Sequence, residues 1–281
     1  MIEFRVMTRD DLPIFMKLTS QVGWGMTEQD FDRLITFSPE GNFVASADGV
    51  DVGMVATTSY GEVAWIGNLI VDPETRGKGI GAALTVHAMN YLKSQGVENI
   101  RLDSVPLAIP LYRRLGFVDE YWSMRYMGEA RPQPVTGVEP MRESDLDEVS
   151  HLDFKHFKSP RRGHLEYSFR LSPSLCFTAR NGGELIGYIM GRDGSDRVRV
   201  GPWVCEEGHS RMAESLLCVL MNRRPRQQVW VGFPEGNAES RAILERNGFN
   251  EIPSSLRMCH GDRGNRENVK AIYGIGGPDK G

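Results

Sequence analysis

Cysteine is scarce in this 281-residue sequence, and closely spaced metal-binding residues are absent from it. The four cysteines form no CxxC pair: Cys176, Cys205, Cys218 and Cys259. A zinc site usually takes closely spaced cysteines or histidines, and disulfides are rare in a reducing compartment. His151 and His156 are five residues apart, which does not match a helical i, i+4 metal pair. We therefore expect buried cysteine side chains and no metal.

Long apolar runs and an excess of basic residues are also absent. No stretch reaches the roughly 18 apolar residues of a membrane-spanning helix. The first residues, MIEFRVMTRDD, lack the basic and then apolar pattern of a secretory signal. Lys and Arg number 33 against 37 Asp and Glu, a net charge of −4, which argues against a nucleic-acid-binding protein. We expect a cytoplasmic protein without membrane or nucleic-acid partners, and the oligomeric state is left open.

A proline-rich stretch separates two halves of the chain. Residues 129–140 read EARPQPVTGVEP and have no apolar periodicity. At a shift of 134, residues of the first half fall on like residues of the second, for example Phe43 on Phe177 and Gly67 on Gly201. The sequence therefore predicts a tandem duplication, with domains at 1–128 and 139–281 and a linker at 129–138.

Strand and helix patterns alternate in the first half. Apolar alternation and buried runs predict strands over 2–7, 42–47, 51–59, 63–71 and 98–103, and a last strand that ends near 127. Amphipathic periodicity predicts helices that begin near 10 and cover 27–36, 79–94 and 107–115. This order indicates a mixed sheet of the α/β or α+β class.

The strongest signal for chemistry is the segment Asp72–Gly81, which reads DPETRGKGIG between a buried strand and an amphipathic helix. The first N–H groups of a helix have no partner within the helix, and the helix dipole is positive there. Glycines let the backbone turn several N–H groups toward one phosphate. The spacing matches neither the dinucleotide-binding fingerprint nor the P-loop. The segment predicts an anion site at a helix N-terminus.

Two motifs of the first half resemble a known family. Arg76–Gly81 (RGKGIG) resembles the R/Q-x-x-G-x-G/A signature of the GNAT superfamily of acyl-CoA-dependent N-acetyltransferases, and Leu111–Phe117 (LYRRLGF) resembles its closing helix, LY-x-x-x-GF. Gly23-Trp24 and Pro39–Ala45 resemble a branch with tandem GNAT domains. The resemblance implies two GNAT-like domains, each with a mixed, mostly antiparallel sheet flanked by helices. It implies an enzyme that transfers acetyl from acetyl-CoA, without a metal, to a primary amine of a small molecule or peptide.

The resemblance also implies which residues bind acetyl-CoA. The pantetheine arm would follow the backbone of one strand, at Asn68, Leu69, Ile70 and Val71. A backbone N–H near Leu69 or Ile70 would bind the acetyl oxygen. The pyrophosphate would lie on the turn, with Arg76 closing it: Arg76, Gly77, Lys78, Gly79, Ile80 and Gly81.

Four further side chains are candidates for catalysis or acceptor binding. Tyr112 matches the family tyrosine that protonates the departing CoA thiolate. Asp103, at a strand end, is the first candidate for general base or for electrostatic binding of the amine, and Glu62 is the second. Trp24 lies in a loop that shapes the acceptor site in the superfamily, where it either covers a substrate or fills the core.

The second half keeps markers of the fold but loses markers of the chemistry. At the shift of 134, Arg76–Gly81 fall on Ser210–Ser215, which contain no glycine and bring Glu214 into the segment. At a shift of 132, Tyr112 falls on Leu244. We expect a degenerate domain that completes the acceptor pocket of the first, while Tyr273–Gly277 either covers that pocket or forms a flexible tail.

Two other functions stay open at this point. One is a non-catalytic protein that binds or senses acyl-CoA on the same fold, and the other is a scaffold with a vestigial cofactor site. The intact glycines and Tyr112 argue against the scaffold, whereas only an activity assay separates an enzyme from a sensor.

Overall fold

The computed structural model describes residues 2–261 and 267–281, which form two compact units. Unit 1 contains residues 2–120, 256–261 and 278–281, and unit 2 contains residues 121–255 and 267–277. The boundary between the units does not coincide with the predicted linker, because part of the last strand of each half of the sequence belongs to the other unit. In the described residues, no helix combines the length and apolarity needed to cross a membrane.

Unit 1 is built from a six-stranded sheet with two helices on each face. The strands and helices are β1 (Ile2–Val6), α1 (Leu12–Gln21), α2 (Glu28–Phe37), β2 (Phe43–Ala47), β3 (Val50–Ser59), β4 (Val63–Val71), α3 (Ile80–Ser94), β5 (Asn99–Ser104), α4 (Ile109–Arg114), β6 (Val118–Glu129, shared with unit 2) and the second half of β12 (Asn250–Gly261). The sheet order is β1-β2-β3-β4-β5-β12, and the pairs are antiparallel except β4 with β5.

Alternating residues along the strands of unit 1 serve two cores. On β2, Phe43 and Ala45 pack with the apolar residues of α3, whereas Val44 packs with those of α1 and α2. Successive strand residues point to opposite faces, so α1 and α2 lie on one face of the sheet and α3 on the other. Thr27 and Asp30 form a capping box that starts α2.

Unit 2 repeats this order of elements. It contains most of β6, β7 (Val138–Pro140), α5 (Leu146–Phe157), α6 (Arg162–Leu171), β8 (Cys176–Asn181), β9 (Glu184–Asp193), β10 (Val198–Cys205), α7 (Ser210–Asn222), β11 (Gln228–Pro234), α8 (Ala238–Arg246), the first half of β12, and β13 (Ile272–Gly274). The order is β12-β6-β11-β10-β9-β8-β7, and β13 pairs with β10. The parallel pair is β10 with β11, at the place that β4 and β5 take in unit 1.

The last strands of the two halves are exchanged. Residues 123–129 of β6 pair with β11 in unit 2, although β6 follows α4 of the first half. Residues 256–261 of β12 pair with β5 in unit 1, although β12 follows α8 of the second half. Each sheet therefore contains a strand from the other half of the sequence. The predicted fold class is confirmed, and the exchange is an addition that local patterns do not reveal.

Candidate active site

Strands β4 and β5 part midway along unit 1. Their parallel pairing runs from Val63 opposite Asn99 to Trp65 opposite Arg101, and β4 continues to Val71. The register between β3 and β4 also shifts, since Ala56 lies opposite Gly67 but Met54 lies opposite Ile70. The extra residue is a β-bulge, and it adds to the separation of β4 from β5. On the side of β4 that faces β5, the backbone groups beyond Trp65 are therefore available to an extended ligand.

Asn68 forms the bulge of β4. Its φ of 51° lies in the left-handed region, which asparagine tolerates better than most residues. The residue is 5% exposed, and its Nδ2 has no hydrogen-bond partner among the residues that the structure describes. A buried amide donor without a partner is costly in a folded protein. Asn68 thus offers a donor at the place where the two strands separate.

The glycine turn ends on the N-terminus of α3. Gly77 and Gly79 have φ values of 80° and 79°, a conformation that favours glycine, and a Cβ at either position would meet nothing within 4 Å. The first intrahelical bond runs from the Ala83 amide to the Gly79 carbonyl, so the preceding amides have no helical partner. These amides lie beside exposed Lys78 in an open turn that suits a phosphate.

Two side chains hold the turn in place. The Arg76 Nε donates to the Val71 carbonyl at 2.9 Å, which joins the turn to the end of β4. The Asp72 carboxylate accepts from the Glu74 amide at 3.2 Å and pairs with Lys17 of α1 at 3.1 Å. The Lys17 ammonium holds the pKa of the Asp72 carboxyl below its usual range. These contacts fix the glycine turn between the end of β4 and α1.

Tyr112 lies on α4 in the core that packs against α3. Its ring meets Phe117 edge to face, with the ring centres 5.7 Å apart, and the residue is 6% exposed. Burial raises the pKa of the Tyr112 phenol above its ordinary value of about 10. The hydroxyl therefore remains protonated at neutral pH and can act as a proton donor.

The two candidate bases, Asp103 and Glu62, lie apart in the structure, and Asp103 is engaged in an ion pair. The Asp103 carboxylate is paired with Arg257 of β12, with Oδ1 2.5 Å from Nε and both side chains fully buried. Glu62 is exposed in the turn before β4, about six residues and roughly 20 Å of strand from Asn68. Trp24 follows α1, is partly buried, and packs against the core of α1 and α2. None of the three is positioned by a contact with the glycine turn.

Sequence reasoning missed a second set of residues in unit 1, on the face that carries α1 and α2. The segment Pro278–Gly281 packs there, with Asp279 against Gly67 and in an ion pair with buried Arg33 of α2. The Tyr60 hydroxyl donates to the Lys280 carbonyl at 2.9 Å. Arg33 and Asp279 are 246 residues apart, so no local pattern joins them.

Comparison with known families identifies the family to which the chain belongs. The family model for the acetyltransferase (GNAT) family matches residues 12–117, and the model for the acetyltransferase (GNAT) domain matches residues 149–274. The chain belongs to the GNAT acetyltransferase family. It is an acyltransferase with two GNAT domains in tandem, as the motifs predicted.

Individual GNAT relatives agree with this assignment. The holothin acyltransferase of Pseudoalteromonas sp. is 27% identical over 258 residues, which are 90% of this chain and 86% of that protein. A mycothiol acetyltransferase of Streptomyces coelicolor is 32% identical over 115 residues, 37% of this chain and 36% of that protein. A crystal structure from Pyrococcus horikoshii, provisionally described as an acetyltransferase, has a TM-score of 0.84 at 25% identity and covers 100% of this chain and 96% of that one.

The second GNAT domain has its own parted strands, but the gap is filled. Pairing of β10 with β11 runs from Val198 opposite Val229 to Val200 opposite Val231. Beyond it, β13 pairs with β10, with Trp203 opposite Gly274, and the Ile275 amide donates to the Gly232 carbonyl of β11 at 2.8 Å. Residues Tyr273–Ile275 are therefore held in the sheet of unit 2 rather than forming a flexible tail.

The turn that precedes the corresponding helix is shorter in the second GNAT domain. Residues 72–79 connect β4 to α3, but only residues 206–209 connect β10 to α7. The constant shift of 134 therefore fails at this turn, and Glu214 lies inside α7 rather than in the turn, paired with Arg246 at 2.8 Å. Glu206 and Glu207 occupy the shortened turn instead. The match of Leu244 to Tyr112 holds, since each is the third residue from the end of its helix.

Proposed function

We propose that the protein transfers an acetyl group from acetyl-CoA to a primary amine, and that unit 1 carries out this reaction. The observation that carries the proposal is the glycine turn at the N-terminus of α3, next to parted strands β4 and β5. The amides of Gly77–Gly81 would bind the pyrophosphate, with Arg76 holding the turn on β4. The β4 backbone over Asn68–Val71 would bind the pantetheine arm as an added strand.

Bound acetyl-CoA would supply the acetyl group and the CoA thiolate as leaving group. We assign the backbone N–H of Leu69 or Ile70 to the acetyl oxygen, where negative charge develops. Loss of one such donor typically costs about 3–4 kcal/mol of transition-state stabilisation. The unpartnered Nδ2 of Asn68 is a further donor at the same bulge. Tyr112 would protonate the departing thiolate, since burial keeps the phenol protonated at neutral pH, and the protons released by the attacking amine would pass to the phenoxide and to solvent water.

The two carboxylates take a smaller part in the proposal than the sequence suggested. The Asp103 carboxylate is fully buried and engaged in an ion pair with Arg257, so we assign it to fixing Arg257 rather than to deprotonating the amine. Glu62 is left out because it is exposed at the far end of β4. The proposal therefore depends on the glycine turn, the bulge and Tyr112.

Relatives support a small-molecule acceptor. The holothin acyltransferase and the mycothiol acetyltransferase are both named for small molecules. We propose an acceptor of this class for the present protein.

An assay of free CoA with a broad panel of amines tests the proposal. We expect acetyl-CoA-dependent release of CoA with at least one amine, and the same reaction lost in Gly79→Val. Tight binding of acetyl-CoA without transfer to any amine would contradict the enzymatic proposal and would favour an acyl-CoA sensor.

A further inference from the structure

Arg33 is a buried cation beside the proposed acyl-transfer site. It lies on α2, is 5% exposed, and pairs through Nη2 with the Asp279 carboxylate. Its Nη1 lies 3.5 Å from the Thr58 hydroxyl, and its Nε has no hydrogen-bond partner among the residues that the structure describes. A carboxylate can bind a guanidinium through two parallel N–H groups, so Arg33 has an unused donor for such a pair.

Asp279 lies against β4 beside the proposed acyl-transfer site. A Cβ on Gly67 would collide with the Asp279 side chain and would lie 2.7 Å from its Cα. Gly67 directly precedes the Asn68 bulge. It is the second residue after Trp65, which is the last residue of β4 that pairs with β5. The carboxylate and its backbone therefore lie against β4 at the start of the gap. An acceptor and Asp279 cannot occupy this place together.

Displacement of Asp279 has an electrostatic consequence. The Lys280 ammonium lies 3.5 Å from the Asp279 carboxylate, and the two residues are neighbours in the chain. Displacement of the segment therefore moves both charged side chains away from Arg33. Asp30, whose carboxylate accepts from the Thr27 amide at 2.9 Å, also acts on Arg33 electrostatically. Arg33 would then keep the attraction of Asp30 but lose its ion pair with Asp279, and the loss of one partner of a buried ion pair is unfavourable. An acceptor that carries its own anion removes this penalty.

We propose that Arg33 binds a carboxylate of the acceptor, and that the Asp279 carboxylate occupies this binding position until the acceptor carboxylate displaces it. The inference rests on the proposed function, because it places the acceptor amine at the β4 gap. It narrows the substrate class to amines that bear a carboxylate a short distance from the nitrogen. Tyr60, which bonds the Lys280 backbone, anchors the segment when it occupies the site.

Binding of reaction products to the full chain tests the inference without acyl transfer. The probes are N-acetylglycine, N-acetyl-β-alanine and N-acetyl-4-aminobutyrate, each compared with its neutral amide by calorimetry. The variant is Asp279→Asn, which removes the competing charge but keeps an oxygen that can accept from Arg33. We expect at least one acid to bind Asp279→Asn about tenfold more tightly than its amide, and several-fold more tightly than it binds wild type.

The double variant Arg33→Gln/Asp279→Asn is the matched control, because it removes both charges of the Arg33–Asp279 pair. The preference for the acid should disappear in it, while CoA affinity should match that of Asp279→Asn. Equal binding of acid and amide in all three pairs by Asp279→Asn would overturn the inference. So would an acid preference that survives in the double variant.

The two proposals fail in different ways. If the acid preference is present but no amine is acetylated, the proposed function fails and the carboxylate site stands. If amines are acetylated but acids and amides bind alike, the proposed function stands and the role of Arg33 is wrong.

Discussion

Tyr112 combines a buried position on α4 with a phenol that stays protonated. We expect Tyr112→Phe to keep the packing against Phe117 and the affinity for acetyl-CoA, because the hydroxyl acts only as the C–S bond breaks. Turnover should fall by about 10²-fold, the low end for one positioned acid, since a thiolate is a fair leaving group. Steady-state kinetics should show the loss in both kcat and kcat/KM. Tyr91→Phe, on α3, serves as the control, and wild-type turnover in Tyr112→Phe would remove Tyr112 from the mechanism.

The direction of the Tyr112 pKa also predicts a pH profile. The acid form is the active one, and the raised pKa means that this form persists above the ordinary tyrosine value of about 10. We therefore expect kcat to stay level from about pH 8 to about pH 10, with no loss that can be assigned to the phenol. A decline centred near pH 9 in wild type that is absent from Tyr112→Phe would contradict the burial argument.

Asn68 allows its backbone and side-chain roles to be separated. Asn68→Gly keeps the left-handed conformation at the bulge and removes the amide donor. One hydrogen bond contributes about 1 kcal/mol, so kcat/KM for acetyl-CoA should fall by roughly fivefold. The melting temperature should change little, because the donor has no protein partner in the described chain. Unchanged kcat/KM in a folded Asn68→Gly variant would show that the amide binds nothing in the reaction.

At the scale of elements, α3 offers a matched pair of glycines. Gly79 precedes the helix and Gly96 follows it; both have a φ of 79°, and a Cβ at either meets nothing within 4 Å. Valine in that conformation is strained by about 1–2 kcal/mol at both positions. We expect Gly79→Val and Gly96→Val to lose similar stability, whereas only Gly79→Val loses CoA binding. Calorimetry with CoA checks this, and equal CoA affinity in the two variants would mean that the turn is only structural.

Local patterns predicted the elements of the site well. The strand over 63–71 matches β4, and the helix over 79–94 matches α3 to within one residue. These elements are long and strongly periodic, so their own residues determine them. The sequence comparison placed the turn of the second domain at the wrong residues. A constant shift of 134 does not account for the four residues by which that turn is shorter. The contacts of Asp103 with Arg257 and of Arg33 with Asp279 join distant parts of the sequence, which periodicity does not encode.

At the scale of the whole molecule, the two domains differ in what fills the gap between their parted strands. In unit 2, β13 pairs with β10 there, and Glu206 and Glu207 replace the glycine turn. We expect the full chain to bind one CoA, because in the described part of the chain only unit 1 keeps an open glycine turn beside a strand gap that no further strand fills. Calorimetry should give a stoichiometry near one in wild type and no binding in Gly79→Val. A second CoA per chain would show that unit 2 also takes the cofactor.

The strand exchange determines how such experiments are designed. A fragment ending at residue 128 would lack the β12 residues that pair with β5, and a fragment beginning at residue 139 would lack the β6 residues that pair with β11. The predicted domains 1–128 and 139–281 therefore do not correspond to complete sheets. Variants of the full chain are the appropriate material.

The exchange also has a consequence in time. The ribosome finishes β5 about 150 residues before it reaches the β12 segment that pairs with it. At roughly 5–20 residues per second, synthesis of that interval takes on the order of ten seconds. Throughout it, β5 presents an unpaired edge, the kind of surface on which strands of neighbouring chains add. The first GNAT domain is thus the earlier one to be made but is completed only when the second is nearly finished.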